Sequence, residues 1–229
     1  EDDNVYMKTV KGPLKVDCIY RRLDDSFLDP KVFNKDSLIG VPGLFKCWLK
    51  KNVGILNAIG TGVADDKVVY SYVNRMITYY LGEQPLLNQV ETYLCHEEDQ
   101  KKYVLENLSK LVVKPANASG GYGLMIGPKA PKKEIEEVRQ KILKNPREFI
   151  AQPLEVLSTG PTITNNNIEP RHVDLRPFVL TGKSNYVTSG GLTRVALRKG
   201  STIVNSSQGG GSKDTLIVGW KYLFNKGFF

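Results

Sequence analysis

Cysteine and histidine are scarce in this 229-residue chain, with three of the first and two of the second. Cys18, Cys47 and Cys95 are odd in number, far apart and without CxxC or Cys/His spacing. That excludes a disulfide framework and a zinc site, and leaves buried free thiols as the expectation. With only His96 and His172 available, a Ser/His/Asp relay has no support. No stretch approaches the roughly 18 consecutive apolar residues of a membrane span. The opening Glu1-Asp2-Asp3-Asn4 does not resemble a signal peptide, so a soluble, cytoplasmic protein is expected. The chain has no repeat and no long linker. What it does have is 41% hydrophobic residues, enough for the core of one large domain or two small ones. Its net charge is +8, but the cations are scattered and interleaved with acids, as from Lys132 to Lys144. No basic stripe marks a nucleic-acid surface, and a positive field equally suits a nucleoside triphosphate and an acidic substrate.

Hydrophobic period predicts short strands over Leu14 to Tyr20, Val53 to Asn57, Leu111 to Lys114, Leu124 to Gly127, Phe149 to Gln152, Val173 to Leu180, Leu192 to Leu197 and Thr202 to Asn205. Val69, Tyr72, Val73, Met76 and Tyr80 recur at helical spacing, as do Ile135, Val138, Ile142 and Leu143 after a helix-starting Pro131. A third helix is expected from Glu97 to Leu108. The fold class is therefore α+β. Ile163 to Glu169, with three successive asparagines, reads as an exposed loop.

Three segments carry chemistry. In the first, Leu111-Val112-Val113-Lys114-Pro115 is followed by Ser119-Gly120-Gly121-Tyr122-Gly123 and a further strand. A lysine at a strand end, then a loop whose amides carry no side chains to obstruct them, can hold phosphates. The run returns to a strand instead of opening a helix, so it is neither a Walker A loop nor a dinucleotide fingerprint. An ordinary hairpin turn reads equally well from the residues alone. In the second, Asp174 and Arg176 lie two apart on one strand face, and Arg194 adds a cation if its strand pairs with theirs. Converging arginines suit a transferring phosphoryl group better than a surface ion pair. In the third, Asn205 to Asp214 contains three glycines, a flexible linker or a loop with Asn205 as a hard oxygen ligand for Mg²⁺.

In order and spacing, Asp66-Lys67, Lys114, the Ser119 to Gly123 loop, Phe149-Ile150-Ala151-Gln152-Pro153, Asp174-x-Arg176, Arg194 and Asn205 to Gly210 resemble the ATP-grasp fold. The circularly permuted type 2 ATP-grasp family, similar to glutathionylspermidine synthase, agrees further. Its signatures match Val16 to Pro30 (VDCIYRRLDDSFLDP), Gly40-Val41-Pro42-Gly43-Leu44 and Arg171 to Phe178 (RHVDLRPF), and the resemblance covers Tyr6 to Thr215. It implies antiparallel sheets with flanking helices in circularly permuted order. The implied activity is ATP-dependent ligation of a small-molecule or peptide carboxylate to an amine through an acylphosphate, with ATP and Mg²⁺ as cofactors. The implied partners are those substrates, with no specific nucleic acid and no membrane.

Residue by residue, the resemblance implies that Lys67 and Lys114 hold ATP phosphates and that Ser119, Gly120, Gly121, Tyr122 and Gly123 cover them, mobile until ligand binds. Ile150 to Leu154, including Gln152, would be the hinge against adenine. Arg176 and Arg194 would face the transferred phosphate as catalytic residues, with Asp174 and Asn205 as metal ligands and Asp17, Asp24 and Asp25 in reserve. His172 is expected to be structural or to contact substrate. Residues 1–60 would be a substrate-side region, 61–215 the nucleotide-binding core and 216–229 an unassigned tail. Substrate selectivity would lie in Arg21 to Asp29 and Asn165 to His172. The acidic metal-binding element of permuted members is missing before Lys15, so the chain is expected to be a piece of a longer enzyme or to have a degenerate metal site. A kinase-like nucleotide-binding protein that does not ligate is one alternative, and a polyanion-binding protein built on the net charge is another.

Overall fold

The computed structural model describes residues 2–117, 123–164, 167–202, 204 and 209–216. It divides into two compact units, one formed by residues 2–117 and 123–152 and the other by the described residues from 153 onward.

The first unit opens with β1 (Tyr6–Thr9) and β2 (Gly12–Lys15), an antiparallel hairpin, followed by β3 (Cys18–Tyr20). The single strand expected over Leu14 to Tyr20 is thus broken at Val16 and Asp17. The Val16 amide bonds to Val5 O, while Asp17 O accepts from Gly54 N, both at 2.8 Å, so the chain changes partner strand there. Helix α1 (Leu44–Leu49) and β4 (Gly54–Leu56) come next. β3 and β4 pair in parallel, Ile19 opposite Ile55, an exception to the antiparallel expectation. A parallel pair needs a long crossover, and the connection carrying α1 supplies it. Leu28, Leu44, Cys47, Val53 and Ile55 form the core beneath.

Helix α2 (Lys67–Leu81) is capped by Asp66, whose side chain accepts from Val68 N at 2.8 Å. Its expected apolar face is only partly used: Val68 is buried and Tyr72 packs beside it, but Val73, Met76 and Tyr80 stay exposed. After β5 (Tyr93–Leu94) come α3 (Glu98–Asn107), β6 (Leu111–Pro115), β7 (Met125–Ile126), α4 (Lys132–Lys144) and β8 (Phe149–Pro153). Their sheet has the order β5-β8-β6-β7. The helices expected around 97–108 and 131–143 are both present, and Val104 and Leu108 from the first and Val138 and Ile142 from the second bury against Val113, Met125 and Ala151. Burial of this apolar surface, at about 25 cal/mol per Å², fixes the sheet against the two helices.

The second unit is one four-stranded antiparallel sheet, order β12-β11-β10-β9, built from β9 (Thr159–Thr164), β10 (Asn167–Thr181), β11 (Asn185–Val195) and β12 (Gly211–Leu216). The expected loop at 163–169 is instead mostly strand, with Ile163 opposite Ile168 and Thr162 opposite Glu169. Thr202 and Val204, expected in a strand, are irregular. A local turn takes the preceding backbone, with Gly200 at φ +73° and Ser201 N bonded to Arg198 O. Among the described residues no helix is long and apolar enough to cross a membrane.

Candidate nucleotide-binding site

Lys114 sits where β6 runs out of its buried stretch: Leu111, Val112 and Val113 are in the core, and Lys114 is half-buried. Its ammonium donates to Gln152 Oε1 at 2.6 Å, and Gln152 Nε2 donates to Thr92 Oγ1 at 2.8 Å. Gln152 is itself buried, at the end of β8 where Ile150 and Ala151 are fully enclosed. The lysine is therefore aimed by a neutral carboxamide and not quenched by a carboxylate. Burial pushes its pKa down, and the neighbouring Lys67 charge pushes it down further. Lys67 opens α2, and its backbone amide bonds to Ala116 O at 2.9 Å, tying the helix start to the end of β6. Two ammonium groups held near each other in a partly desolvated setting favour an anion between them.

β6 and β7 pair as a hairpin, Val113 opposite Met125, so the glycine-rich run does return to a strand. Gly123 has φ +71°, and a Cβ there would lie 2.9 Å from Pro115 Cγ; only glycine meets both conditions without strain. Ser119, Gly120, Gly121 and Tyr122 lie outside the described residues, as does Asn205.

In the second unit, β10 and β11 pair so that Asp174 stands opposite Arg194 and Arg176 opposite Leu192. The pairing that would bring Arg194 to the Asp174 face is present. Arg176 donates to Asp174 Oδ2 from Nη2 at 2.9 Å and from Nε at 3.2 Å. Asp174 Oδ1 is buried without a hydrogen-bond partner, and an orphaned carboxylate oxygen of this kind is the hard donor that Mg²⁺ takes. Gly191 lies opposite Pro177, and a Cβ there would approach Arg176 O to 2.8 Å. Leu154, in irregular structure just past β8, is exposed and belongs to this second unit. The structure thus groups Lys67, Lys114 and Gln152 in one unit and Asp174, Arg176 and Arg194 in the other.

Of the reserve acids, Asp17 is exposed, whereas Asp24 and Asp25 have other work. Asp24 Oδ1 accepts from the amide and hydroxyl of Ser26. Asp25 pairs with Arg21 at 2.6 Å and accepts from Gly60 N. Arg21 also donates to the carbonyls of Leu23, Asn57 and Ala58, so this arginine clamps β3 to the segment after β4. Asp29, fully buried, accepts from the amides of Lys31, Gly43 and Phe45. Burial opposes its ionisation, but those three amides outweigh it and hold the carboxyl below the usual range. Among the described residues no three His, Cys, Asp or Glu side chains gather as a metal cluster. His172 Nδ1 lies 2.8 Å from Leu157 O, a backbone tie. Cys47 and Cys95 are buried free thiols as expected, whereas Cys18 is exposed. Thr92 escaped sequence reasoning because its link to Gln152 spans 60 positions and a lone threonine gives no pattern.

A family profile described as circularly permuted ATP-grasp type 2 matches residues 1–196. An uncharacterised protein of Synechocystis is 56% identical over 218 residues, 95% of this chain and 45% of its own length. One from Mycobacterium tuberculosis is 53% identical, over 95% of this chain and 40% of its own. A Frankia casuarinae protein with the provisional name glutamate–cysteine ligase 2-2 is 50% identical, over 94% and 25%. The chain thus spans less than half the length of these curated relatives. On these matches and the hairpin, lysine and paired-strand geometry that accompanies them, the chain belongs to the circularly permuted ATP-grasp type 2 family.

Proposed function

We propose that this chain supplies the nucleotide-binding core of an ATP-dependent carboxylate–amine ligase that works through an acylphosphate. The observation that carries this reading is the half-buried Lys114 ammonium, aimed by Gln152 and sharing its surroundings with Lys67. Membership of the family and the ligase name of the Frankia relative support it. In this reading residues 61–215 form the nucleotide-binding core and 1–60 a substrate-side region, with 216–229 unassigned. A cytoplasmic location belongs to the same proposal, because ATP is a co-substrate.

A carboxylate is a poor electrophile, so its oxygen first attacks the γ-phosphorus while the bond to ADP breaks and ADP leaves with the electron pair. The amine nitrogen then attacks the acyl carbon, phosphate departs with the C–O electrons, and the nitrogen loses its proton to water. The protein needs no nucleophilic side chain for this; it positions the reactants and neutralises charge. Lys67 and Lys114 would bind phosphate oxygens, with Ser119 to Gly123 closing over them and Gln152 to Leu154 along the adenine. Arg176 and Arg194 would face the transferred group. Asp174, through Oδ1, and Asn205 would hold Mg²⁺, which when bound neutralises phosphate oxygens. With so few protein ligands the ion would rest largely on phosphate and water.

The test measures ADP, phosphate and amide from candidate acids with and without an amine, in this chain and in the chain with the sequence that flanks it in its gene. Amide formation that requires acid, amine, Mg²⁺ and Lys114 is expected, weak in the 229-residue chain and restored in the longer one. ADP release with no amide under any amine would replace ligation by simple phosphotransfer, and turnover indifferent to Lys114→Met would remove the site assignment.

A further inference from the structure

Thr92, Gln152 and Lys114 form a row across three neighbouring strands. The sheet runs β5-β8-β6 here, with Gln152 on β8 and Lys114 on β6. Tyr93 and Leu94 of β5 stand opposite Ala151 and Ile150, and the same register continued by one residue sets Thr92 opposite Gln152. Side chains directly opposite on antiparallel strands are within reach of each other, and Gln152 Nε2 meets Thr92 Oγ1 at 2.8 Å. Two positions along, Leu94 and Ile150 pack with Val68 and Ala116, so the row is anchored beside a filled core.

A carboxamide has a donor end and an acceptor end of nearly the same shape, so its neighbours decide which end faces which way. The Lys114 ammonium can only donate, and it requires Oε1. On the other side the choice lies with Thr92, because a hydroxyl has a single proton to give. That proton goes to Val90 O at 3.0 Å, which leaves Oγ1 an acceptor toward Gln152, and Nε2 donates to it. Val90 is held in turn: its amide donates to the Tyr70 hydroxyl at 3.0 Å, and Tyr70 lies on α2, the helix that Lys67 opens. We infer that Thr92 is a positioning residue for Lys114, its hydroxyl locking the Gln152 carboxamide with the oxygen toward the ammonium. Without Oγ1, a donor of the buried Gln152 loses its partner, and the carboxamide turns to seek another at the expense of Lys114. The consequence for nucleotide rests on the reading of Lys114 as a phosphate lysine, whereas the lock exists in the ligand-free protein.

Two substitutions separate polarity from packing. Thr92→Val keeps the shape and removes the acceptor, while Thr92→Ser keeps the hydroxyl and loses a methyl group. Thr92→Ala is unsuitable, because Thr92 lines a cavity of about 270 Å³ together with Ser71, Arg75, Glu97 and Gln100, and water there could stand in for the hydroxyl. Competitive acetylation of Lys114 across pH, read by mass spectrometry on the ligand-free chain, gives its titration midpoint. Thr92→Val should move that midpoint further below the ordinary lysine value, since the charged form loses its acceptor. It should also weaken binding of a non-hydrolysable ATP analogue with Mg²⁺ by about three- to tenfold, the contribution of one neutral hydrogen bond. Thr92→Ser should restore both, and in a Lys114→Met background Thr92→Val should weaken binding no further. Where Thr92→Val does not accumulate, Thr92→Cys takes its place with the same expected fall, because sulfur accepts only weakly. An unchanged midpoint in the variant lacking the hydroxyl, or a fall as large in Thr92→Ser, would overturn the inference and leave Lys114 its phosphate role. Nucleotide affinity indifferent to Lys114→Met would instead remove the phosphate reading, and a midpoint that still fell in Thr92→Val would keep the lock.

Discussion

Replacing Lys114 by methionine separates the two jobs a half-buried lysine can do. In the ligand-free protein the ammonium is a burden: burial, and then the Lys67 charge, push its pKa below the ordinary lysine value. The unfolded chain therefore binds that proton more tightly than the folded one, and folding stability rises with pH from the depressed value up to the usual lysine range. Methionine keeps the aliphatic stem and removes that penalty, but leaves Gln152 Oε1 without the donor it has at 2.6 Å. An orphaned buried acceptor costs about 1–3 kcal/mol. The two effects oppose each other, so the net change is expected within about 1 kcal/mol, or about 2–4 °C in melting temperature. With nucleotide present the balance differs. A hydrogen bond from a charged donor to phosphate contributes about 1.5–3 kcal/mol, so Lys114→Met should weaken nucleotide binding by about 10- to 150-fold. Affinity in the unaltered protein should also fall as pH rises through the depressed Lys114 pKa, because only the protonated form attracts phosphate, and the variant should lose that part of the pH profile. Calorimetric titration of a non-hydrolysable ATP analogue across pH reads both quantities. A normal melting temperature with unchanged affinity and an unchanged pH profile would refute the assignment of Lys114 to phosphate.

Asp29→Asn should lower stability by about 2–3 kcal/mol, because the amide offers one acceptor oxygen to three backbone N–H groups now shared between two. Since the folded carboxyl is held below its usual range, its contribution is present above that range and disappears as pH falls through the depressed value. Thermal melts of both proteins should therefore converge at acid pH, and a gap that persisted there would refute the cause. Gly123→Ala combines φ +71° with a Cβ 2.9 Å from Pro115 Cγ and should cost about 1–2 kcal/mol from the backbone alone, read as a lower melting temperature; an unchanged one would mean that the turn tolerates a side chain. Of the three thiols, one should react quickly with a disulfide reagent in the native state. Cys18 is exposed, while Cys47 and Cys95 are buried and burial pushes Cys95 up to about 12. Cys18→Ser should abolish the fast phase, and a fast phase that survived would contradict the burial of the other two.

What was legible in the sequence followed from local period and local turn chemistry. α4 could be read because its apolar residues repeat at helical spacing and land in the core, and the lysine-ended strand β6 because three consecutive apolar residues precede Lys114. α1 could not, since six residues are too short for a period to show, and its N-terminal amides are satisfied by Asp29 from 14 and 16 positions upstream. The strand expected over Leu14 to Tyr20 failed for a related reason: β-propensity continues through Val16, but the hydrogen-bond partner changes. α2 is the helix its spacing predicts, but the period reports which side is apolar, not what covers it. The asparagine-rich stretch from 163 has the composition of a loop, yet two isoleucines five positions apart register it as a hairpin.

The densest run of the resemblance, Val16 to Pro30, shows why a specific motif need not mark the chemistry. Of its four acids, Asp17 is exposed and the other three, which together could be taken for a metal site, are already engaged. Asp24 caps a turn, Asp25 balances the Arg21 guanidinium, and Asp29 receives three amides. Arg21 in turn gathers three backbone carbonyls, tying Leu23 to Asn57 and Ala58. Among the described residues, Asp174 Oδ1 is buried and unbonded, and the Lys114 charge meets a carboxamide. An unsatisfied anion donor and an uncompensated cation are each costly to a folded chain by themselves, and a magnesium ion and a phosphate would relieve both.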